Sequence, residues 1–589
     1  MKKIILFALG AITLGTLTSC DDFLNDNRFP LTTIVDNPSY WSVANSQLQV
    51  DRYQDEINSG YGSGGSYGTF YFSTLSDDQV GSNFANWAYT TVPATNGSWS
   101  YGAIRGANTI IAGVRSNEAN LGAANYRNFE GIARLIRAVS YYKLVRNFGD
   151  VVWESDVVDP NDQSPEGPLY GPRTDRDIVM DSVYQDLQYA IANITTESAR
   201  FAWSKDLARA LASEIYLYEG TFCKYRTQAD NGKAPNLDRA NQYLTYAANV
   251  SAELMNSGRY SFTDDYQSIY NSTQTGGAST VVDGATITAF SSVPEIIFGR
   301  NYDTVNSRHS TIAYTCSSTT TSGMSLDAFK SFLMIDGKPN GQSQYNDNLQ
   351  GVPNKEDNTL SIQNLLDVRD KRLSVITDPY VYYMGMTWAR AGATGMNSSS
   401  GFGVAKYDNV LLPLSARNMT TTNYTCAPIY WLSYIALNYA EAKAELGQFT
   451  DAEFNVSLKK LYERAGLPIT GVAQISAISD PANTYGVSNL LWEIRRCRRC
   501  ELMFDENFRF YDLVRWHMLD KLDSKKNPDV LRGAYVANAP TAPTSGTIDA
   551  EGYYKAYNTD REFSPKYYLY AIPSGQLDLN PRLGQNPGW

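Results

Sequence analysis

The sequence predicts a mainly α-helical protein whose helical hairpins form a scaffold, with a loop-rich insertion that carries short strands. Apolar residues recur at steps of three and four positions through several long segments, as one face of an amphipathic helix requires. Three of these segments follow each other at the ~34-residue step of tetratricopeptide repeats. Between about 260 and 425, Ser, Thr, Asn, Gly and Tyr crowd the sequence and helical periods become short. The spacing therefore favours tetratricopeptide-like hairpins, although no repeat consensus is visible.

The N-terminal half of the scaffold is expected to contain one early helix and a run of five more. A helical period covers about 42–58, and a Gly/Ser-rich break follows it at 59–68. The further helices are expected at about 100–118, 125–148, 176–195, 205–224 and 236–257. In the second of these, Phe129, Ile132 and Ile136 stand at helical steps, so we expect them on one buried face.

Helical periods return after the insertion. Four helices are expected, at about 428–447, 450–465, 487–504 and 507–521. Gly447 and Gly466 stand where two of them should end, because glycine readily adopts the left-handed conformation of a helix C-terminus. Inside the insertion, Glu295–Phe298 is expected as a short strand. The final segment, Phe563–Trp589, is rich in Pro and Gly and is expected to be extended.

The N-terminus has the pattern of a lipoprotein signal peptide. Two lysines precede a short apolar run, and small residues lead to Cys20. Leu17-Thr18-Ser19-Cys20 resembles the bacterial lipobox, in which the cysteine is lipidated, with acyl chains such as palmitate, and becomes the new N-terminus. The apolar run is far shorter than the ~20 residues that span a bilayer. We therefore expect a signal peptide at 1–19, a lipidated tether at 20–40 and a single domain at 41–589.

Composition excludes some classes of partner and cofactor. The net charge of −11 argues against nucleic acids, which are bound by basic surfaces. Lipidation of Cys20 would leave five of the six cysteines, an odd number that gives no evident disulfide framework. Cys497 and Cys500 stand three positions apart, but a zinc site needs further ligands at suitable spacing. We expect both to be buried thiols, and we predict no metal and no cofactor.

The sequence favours binding over catalysis. It contains no Gly-x-Ser-x-Gly elbow and no His-Glu-x-x-His motif. The sequence has two histidines, His309 and His517, so few residues could serve as the base of a histidine-dependent triad. A glycoside hydrolase needs a pair of carboxylates, and no pair stands in an identifiable motif. We therefore predict that the protein is not an enzyme.

Several blocks in a fixed order resemble one family. They are Ser19–Asn25, Glu130–Ala138 with Asn147–Val151, Tyr434–Ala444, Arg464–Leu467, Arg499–Trp516, Ile572–Pro573 and Asn580–Trp589. Each block alone is weak, but the ordered set spans nearly the whole chain. Together they resemble the SusD/RagB outer-membrane lipoproteins of Bacteroidetes.

The resemblance implies a function at the cell surface. Its members have a helical, tetratricopeptide-like fold and capture nutrients, usually oligosaccharides and in some cases peptides. The implied partner is a TonB-dependent outer-membrane barrel of the SusC type, over which the lipoprotein sits as a lid. Asp21 and Asp22 resemble the signal that places such lipoproteins on the outer face. A structural or adhesive surface lipoprotein remains an alternative, since it would also need exposed aromatic residues.

Two zones are expected to supply the ligand site. A glycan binder needs flat aromatic faces and polar groups that fix hydroxyls. The resemblance places part of the site in the loop before the first long helix, where Trp87 and Tyr89 are expected as platforms with Asp78, Asn83 and Asn86 beside them. The insertion is expected to add the following residues: Arg300, Tyr302, His309, Tyr382, Trp388 and Arg390. Taken singly, each residue of the insertion fits packing better than ligand contact, but a polar loop region so rich in aromatic residues favours a recognition surface.

The charged residues of the most recognisable block are expected to be structural. Arg498, Arg499, Glu501, Arg509, Asp512 and Arg515 stand at helical spacings that permit ion pairs. We expect these pairs to hold one helix against its neighbour, and we therefore expect function in the loops.

Overall fold

The computed structural model describes most of the chain beyond residue 33. The described residues are 34–63, 75–81, 87–159, 164, 167, 169–316, 322–345, 348–382, 398–544, 546–555 and 557–589. Cys20, the signal peptide and most of the tether therefore lie outside the described residues. Among the described helices, none is long and apolar enough to cross a membrane.

Long helices packed in pairs form the N-terminal half. After α1 (Val43–Asp51) and α2 (Gln54–Ile57), the frame contains α3 (Gly102–Ser116), α4 (Glu118–Leu121), α5 (Ala123–Phe148), α6 (Arg176–Asn193), α7 (Lys205–Tyr225), α8 (Gln228–Asn231) and α9 (Leu237–Met255). Helix α5 packs between α3 and α6, and α7 packs against α9. Phe129, Ile132 and Ile136 are buried, as their spacing predicts. The predicted scaffold of helical hairpins is confirmed.

The insertion carries short helices, most of them one turn long. They are α10 (Ser268–Asn271), α11 (Thr311–Cys316), α12 (Leu326–Ser331), α13 (Gln363–Leu366), α14 (Arg372–Ile376) and α15 (Leu414–Arg417). Single turns need support from neighbouring structure, because short helices are marginal on their own.

The C-terminal helices agree with prediction in position and differ in detail. They are α16 (Leu432–Glu445), α17 (Asp451–Ser457), α18 (Lys459–Ala465), α19 (Val472–Ala477), α20 (Asn489–Glu501), α21 (Phe508–Arg515) and α22 (Ser574–Leu579). The segment predicted as one helix at 450–465 is two helices that meet at Leu458. Gly466 ends the second with φ +71°, as predicted. The helix predicted from 428 begins at Leu432, because Ala427–Trp431 forms a strand.

The strands form small antiparallel sheets. Their bounds are β1 (Gln79–Gly81), β2 (Gly277–Ala278), β3 (Thr286–Ile287), β4 (Ile296–Arg300), β5 (Ser322–Met324), β6 (Val352–Asn354), β7 (Thr359–Ser361), β8 (Thr377–Tyr382), β9 (Gly401–Val404), β10 (Ala427–Trp431), β11 (Thr547–Ile548) and β12 (Tyr554–Lys555). One sheet has the order β6-β7-β8-β9, and the others pair β1 with β5, β2 with β3, β4 with β10, and β11 with β12. The strand expected at Glu295–Phe298 is β4.

Strand pairing joins the insertion to the helical frame. Strand β4 pairs with β10, which leads directly into helix α16, and β5 of the insertion pairs with β1 near the N-terminus. The insertion therefore shares its core with the scaffold. Strands β4 and β5 are therefore held by partners outside the insertion, whereas β2 and β3, and β6 to β9, pair within it.

Buried ion pairs connect the C-terminal helices to distant segments. Arg498 Nε donates to Asp512 Oδ2 over 2.8 Å, which joins α20 to α21 as predicted. The remaining arginines reach further. Arg515 forms two hydrogen bonds of 2.6 Å with Glu441 on α16, and Arg509 binds Asp77 over 2.7 and 2.8 Å. The block is structural, and its partners span nearly the whole chain.

The C-terminal tail packs across the scaffold. Asn586 Nδ2 donates to the carbonyl oxygen of Phe148 over 2.9 Å, and Arg173 donates to Asn586 Oδ1 over 2.7 Å. Trp589 Nε1 donates to Leu569 O over 2.9 Å. The tail, predicted as extended, also contains the short helix α22.

Candidate functional site

A groove lies where three segments that are distant in sequence meet. We call it the Arg300 groove, and its volume is about 240 Å³. Its walls come from the α2 turn, from the connection before α7 and from the end of β4. The lining residues are Gln54, Asp55, Asn58, Phe201, Phe298, Gly299, Arg300, Asn301, Ser307 and Ile429.

Strand pairing places Arg300 at the groove. Arg300 is the last residue of β4 and lies opposite Ala427 of β10. Gly60, which has φ +57°, passes close beside this pair. A Cβ at Gly60 would lie 3.1 Å from Ala427 Cβ and 3.2 Å from Arg300 Cβ. Glycine therefore permits the chain that follows α2 to pass against the strand, which brings α2 next to Arg300.

A backbone contact places an aromatic ring on the opposite wall. The amide of Gly299 donates to the carbonyl oxygen of Arg200 over 2.8 Å. This contact ties the edge of β4 to the connection before α7 and brings Phe201 into the groove. Phe201 is half-buried, and its ring stacks on Phe290 with 5.3 Å between centroids. The exposed part of the ring supplies a flat apolar surface.

Arg300 and Asp55 form an ion pair at the mouth of the groove. The Arg300 side chain is 24% exposed and the Asp55 side chain is 69% exposed, so water reaches both charges. Exposed pairs of this kind contribute only about 0–1 kcal/mol to stability. The two groups are therefore available to a ligand at low cost to the fold.

An aromatic cluster supports the groove from inside. Tyr302 and His309 are fully buried, with 4.7 Å between ring centroids, and Tyr61 lies 4.8 Å from His309. His309 Nδ1 accepts from the Thr311 amide, and Nε2 lies 3.0 Å from the carbonyl oxygen of Thr425. This arrangement assigns the neutral tautomer with the proton on Nε2. Burial lowers the pKa of His309 to about 3.

The burial of Tyr302 and His309 corrects one expectation from the sequence. Both were expected to meet a ligand directly, but neither has an exposed surface. Tyr302 donates to the carbonyl oxygen of Gly62 over 2.7 Å, and its ring lies 5.8 Å from the Arg300 guanidinium carbon. These residues hold the wall of the groove in place.

The groove combines the two kinds of group that bind sugars. Phe201 supplies a flat face, and Arg300, Asn301, Asn58 and Asp55 supply planar hydrogen-bonding groups. Asp55 is the one carboxylate among the described residues that line it. Glycoside hydrolysis needs two carboxylates.

Trp87 and Tyr89 lie together in a different place. Trp87 is 8% exposed, stacks on Tyr567 at 4.2 Å between centroids, and donates from Nε1 to the carbonyl oxygen of Glu562 over 2.6 Å. Tyr89 is half-buried and meets Tyr570 edge to face at 5.7 Å. The cleft that they line has a volume of about 70 Å³. That volume holds a few waters rather than a sugar ring, because one water occupies about 30 Å³. In this structure the pair packs the C-terminal tail.

Asp78 and Tyr382 are also buried. Asp78 accepts from Arg499 Nε over 2.7 Å, and Tyr382 donates to Asp378 Oδ1 over 2.7 Å. Neither presents a polar group to solvent, so the expectation that they bind ligand directly has no support from their positions. Asn83, Asn86, Trp388 and Arg390 lie outside the described residues. Of the expected ligand residues whose positions are described, Arg300 is the one that lines the Arg300 groove.

Residues that the sequence reasoning missed form most of the groove. Asp55 and Asn58 stand in a stretch whose spacing predicts a helix, and Phe201 stands in a connection between two helices. Their role depends on contacts between distant segments, such as that of Asp55 with Arg300, 245 positions away. Local sequence carries no signal for such contacts.

One described cluster has the ligand types of a metal site. Ligand atoms of Asp177, Glu219 and Cys223 lie within 4.8 Å of one another. Three guanidinium groups already bind these carboxylates, however. Arg226 donates to Asp177 over 2.7 and 2.9 Å, and Arg239 Nε donates to Glu219 over 2.9 Å. Burial also raises the pKa of the Cys223 thiol, which disfavours the thiolate that binds metals. The cluster is an ion-pair network, completed by Arg176, that joins α6, α7 and α9.

Comparisons with known proteins agree on one family. The family model described as the SusD family matches residues 294–589. A search of curated proteins found no match. Among solved structures, the chain is similar to a SusD-like carbohydrate-binding protein from Bacteroides fragilis, with 18% identity and a TM-score of 0.64 over 92% of this chain and 99% of that one.

Two further structures extend the likeness. A SusD-like protein from Bacteroides fragilis is 19% identical, with a TM-score of 0.63 over 95% of this chain and 100% of that chain. A structure described as being with xylogluco-oligosaccharide is 15% identical, with a TM-score of 0.56 over 94% and 98% of the two chains. At these identities the likeness establishes the fold, and it covers nearly the whole molecule.

Proposed function

Because the chain belongs to the SusD family, we propose that it is a cell-surface glycan-binding lipoprotein that captures oligosaccharides for uptake. The observation that carries the proposal is the Arg300 groove. It places an aromatic face beside exposed polar groups on a fold shared with a SusD-like carbohydrate-binding protein.

The size of the groove favours a ligand that extends beyond it. Its volume of about 240 Å³ is smaller than that of typical ligand pockets, which measure about 300–1,000 Å³. A groove of this size contacts part of a chain rather than enclosing a whole molecule. An oligosaccharide would lay one unit on Phe201 while Arg300 and Asp55 bind hydroxyls at the mouth. Neighbouring units would continue across the surface.

The sequence of the N-terminus supports attachment to the outer membrane. A lipidated Cys20 would carry two or more acyl chains, and two chains are enough for stable anchoring. The tether would leave the domain free to move relative to the membrane. We propose that the protein is exposed on the cell surface, where its ligand is found.

Delivery to a SusC-type TonB-dependent barrel completes the proposal. A surface-anchored binder needs a route for its ligand across the outer membrane, and the family resemblance implies that such a barrel is the partner. Affinity purification of the full chain from the native outer membrane should recover a barrel protein. The Cys20→Ser variant should lose membrane attachment and labelling by palmitate.

Glycan binding is tested by affinity electrophoresis of the mature protein in gels that contain single polysaccharides, xyloglucan among them. We expect at least one glycan to retard the protein and Arg300→Ala to reduce that retardation. Arg127→Ala is the matched control, because Arg127 is an exposed arginine on α5 outside the groove. The proposal fails if no glycan retards the wild type. Retardation that Arg300→Ala leaves unchanged would place the glycan elsewhere, and binding of peptides alone would assign the alternative substrate.

A further inference from the structure

A second cavity lies apart from the Arg300 groove, at the start of helix α3. Its volume is about 590 Å³, more than twice that of the groove. The first turns of α3, residues 152–158, residues 169–170 and the C-terminal helix α22 surround it. We call it the Trp99 cavity. It falls within the size range of small-molecule sites, about 300–1,000 Å³.

The walls of the Trp99 cavity are mostly apolar, and its rim is exposed. Trp99 and Tyr101 contribute aromatic rings that meet edge to face at 5.8 Å between centroids. At the rim, Leu169 is 39% exposed, Tyr170 is 39% exposed and Leu579 is 72% exposed. Exposed apolar side chains gathered around a concavity commonly mark a binding site.

Two carboxylates stand in this apolar cavity. Glu154 and Asp156 line it, and among the described residues no cation forms an ion pair with either. Asp156 Oδ2 accepts a hydrogen bond from its neighbour Ser155 Oγ over 2.9 Å. Burial, and then the charge of Asp156, raises the pKa of Glu154. A cation placed between the two carboxylates would offset both the desolvation of Glu154 and its repulsion by Asp156. Arg105 also lines the cavity, and its side chain is exposed, as is that of Asp156. When all three groups are ionised, the two carboxylates and the one guanidinium give the lining a net charge of −1.

The backbone beneath these carboxylates is fixed. Asn108 Nδ2 donates to the carbonyl oxygens of Glu154 and Asp156 over 3.1 and 2.9 Å. Arg137 in turn donates to Asn108 Oδ1 over 2.8 Å. The acidic segment is therefore held in place before any ligand arrives, which lowers the entropic cost of binding.

The same hydrogen bonds argue against a sugar as the ligand. Both the Nδ2 and the Oδ1 atoms of Asn108 already form the hydrogen bonds just described. Likewise, Asn580 Nδ2 donates to the carbonyl oxygen of Gly171 over 2.9 Å, and Asn580 Oδ1 accepts from the Arg582 amide. Two of the three side-chain amides that line the cavity are therefore occupied, and Gln576 carries the third. The other groups toward the cavity are an apolar wall, the two carboxylates and Arg105.

We propose that the Trp99 cavity binds an organic ammonium ion that carries an apolar body. Aromatic rings attract cations through their π faces, and carboxylates supply the opposite charge. The apolar body would fill the space beside Ile104 and Leu583. This site is separate from the groove on which glycan binding rests.

Isothermal titration with three indoles of similar size tests the proposal. Tryptamine is a cation, tryptophol is neutral and indole-3-acetate is an anion at pH 7. We expect tryptamine to bind about tenfold more tightly than tryptophol, which corresponds to about 1.4 kcal/mol, with indole-3-acetate the weakest. In the double variant Glu154→Gln/Asp156→Asn, tryptamine should bind no more tightly than tryptophol. Glu118→Gln, an exposed carboxylate on α4, is the matched control and should leave the preference unchanged.

A blocking variant locates the binding. Gly102 lines the cavity at the exposed start of α3, and a Cβ there meets only Ser100 Oγ, at 3.8 Å. Gly102→Trp should therefore fold normally and abolish tryptamine binding, while retardation by a glycan stays unchanged. Equal affinity for tryptamine and tryptophol overturns the proposal. Binding of tryptamine that survives in Gly102→Trp overturns it as well.

Discussion

Arg499 Nε lies 2.7 Å from Oδ1 of Asp78, although the two residues are 421 positions apart in the sequence. Both side chains are buried. Arg499 also donates to Asp327 Oδ1 over 2.6 Å, and Asp327 accepts from Lys521 over 2.8 Å. Burial would raise the pKa of the neighbouring Asp77, but Arg499 and Arg509 hold it well below its usual range. A charged network therefore joins the N-terminal loop, the insertion and the C-terminal helices.

Replacing Asp78 by asparagine should destabilise the protein measurably. The substitution keeps the shape of the side chain and removes a charge that faces the buried Arg499. Arg499 keeps Asp77 and Asp327 as partners in this variant, and burial raises the pKa of Asp78, so the lost charge was itself costly to bury. The expected cost is that of one hydrogen bond to a charged group, about 1.5–3 kcal/mol. Urea unfolding of Asp78→Asn, followed by circular dichroism, should show a loss of that size.

The matched control is the exposed pair formed by Lys460 and Glu463. Its side chains are 53% and 43% exposed and lie 2.9 Å apart. Glu463→Gln should change the free energy of unfolding by less than about 1 kcal/mol. If Asp78→Asn costs no more than this control, the network does not stabilise the fold.

Glu441 should make the protein sensitive to acid in a defined window. Burial alone would raise the pKa of Glu441, but Arg515 binds both of its oxygens and lowers the pKa to about 2. The unfolded chain has a glutamate pKa of about 4.3. The ionised Glu441 therefore adds about 3 kcal/mol to the free energy of unfolding above about pH 5, and this contribution is lost as the pH falls toward 2.

Urea unfolding at a series of pH values measures this effect. Glu441→Gln should be less stable than the wild type at pH 7, and the difference should shrink as the pH falls from 5 to 3. A difference that stays constant over this range would show that the carboxylate is not held ionised by Arg515.

The scaffold could be predicted because its helices are encoded locally. The apolar steps at Phe129, Ile132 and Ile136 are sufficient to place α5, and Gly466 marks the end of α18. The Arg300 groove depends on contacts that no local pattern records. Asp55 meets Arg300 across 245 positions, and Phe201 enters the groove through a backbone contact of its neighbour. Trp87 is a residue that the sequence indicates as a ligand platform but that its tertiary contacts bury.

His309 should remain uncharged over the whole physiological range. Burial lowers its pKa to about 3, against about 6.5 in the unfolded chain. A lowered histidine pKa makes the folded state lose stability as the pH falls below 6.5, by about 2 kcal/mol between pH 6.5 and 5. Burial also lowers the pKa of His517, so the acid-induced loss of stability in the wild type is the sum of the contributions of the two histidines.

Two measurements separate the histidines. In proton NMR, the His309 ring signal should not shift between pH 8 and 5. In His309→Gln, the loss of stability between pH 6.5 and 5 should be smaller than in the wild type. A His309 signal that titrates near pH 6.5 would mean that water reaches the aromatic cluster beneath the groove.

Trp87→Ala and Phe201→Ala should have opposite consequences. Trp87 is 8% exposed and stacks on Tyr567, so its truncation should cost about 3–5 kcal/mol of stability. Phe201 is half-buried at the groove, so its truncation should cost only about 1–2 kcal/mol. Because Phe201 supplies the flat face of the groove, its loss should weaken retardation by a glycan by about tenfold.

Urea unfolding and affinity electrophoresis on the same preparations distinguish the two roles. Trp87→Phe is the conservative control, since it keeps an aromatic ring beside Tyr567 and removes the hydrogen bond to Glu562, which should cost about 1 kcal/mol. If Trp87→Ala unfolds like the wild type and yet loses the glycan, the loop at Trp87 binds the ligand. Truncating a residue that only packs the fold must lower the stability of the protein, so loss of glycan binding alone would indicate direct contact between Trp87 and the ligand. The Arg300 groove would then be a secondary contact.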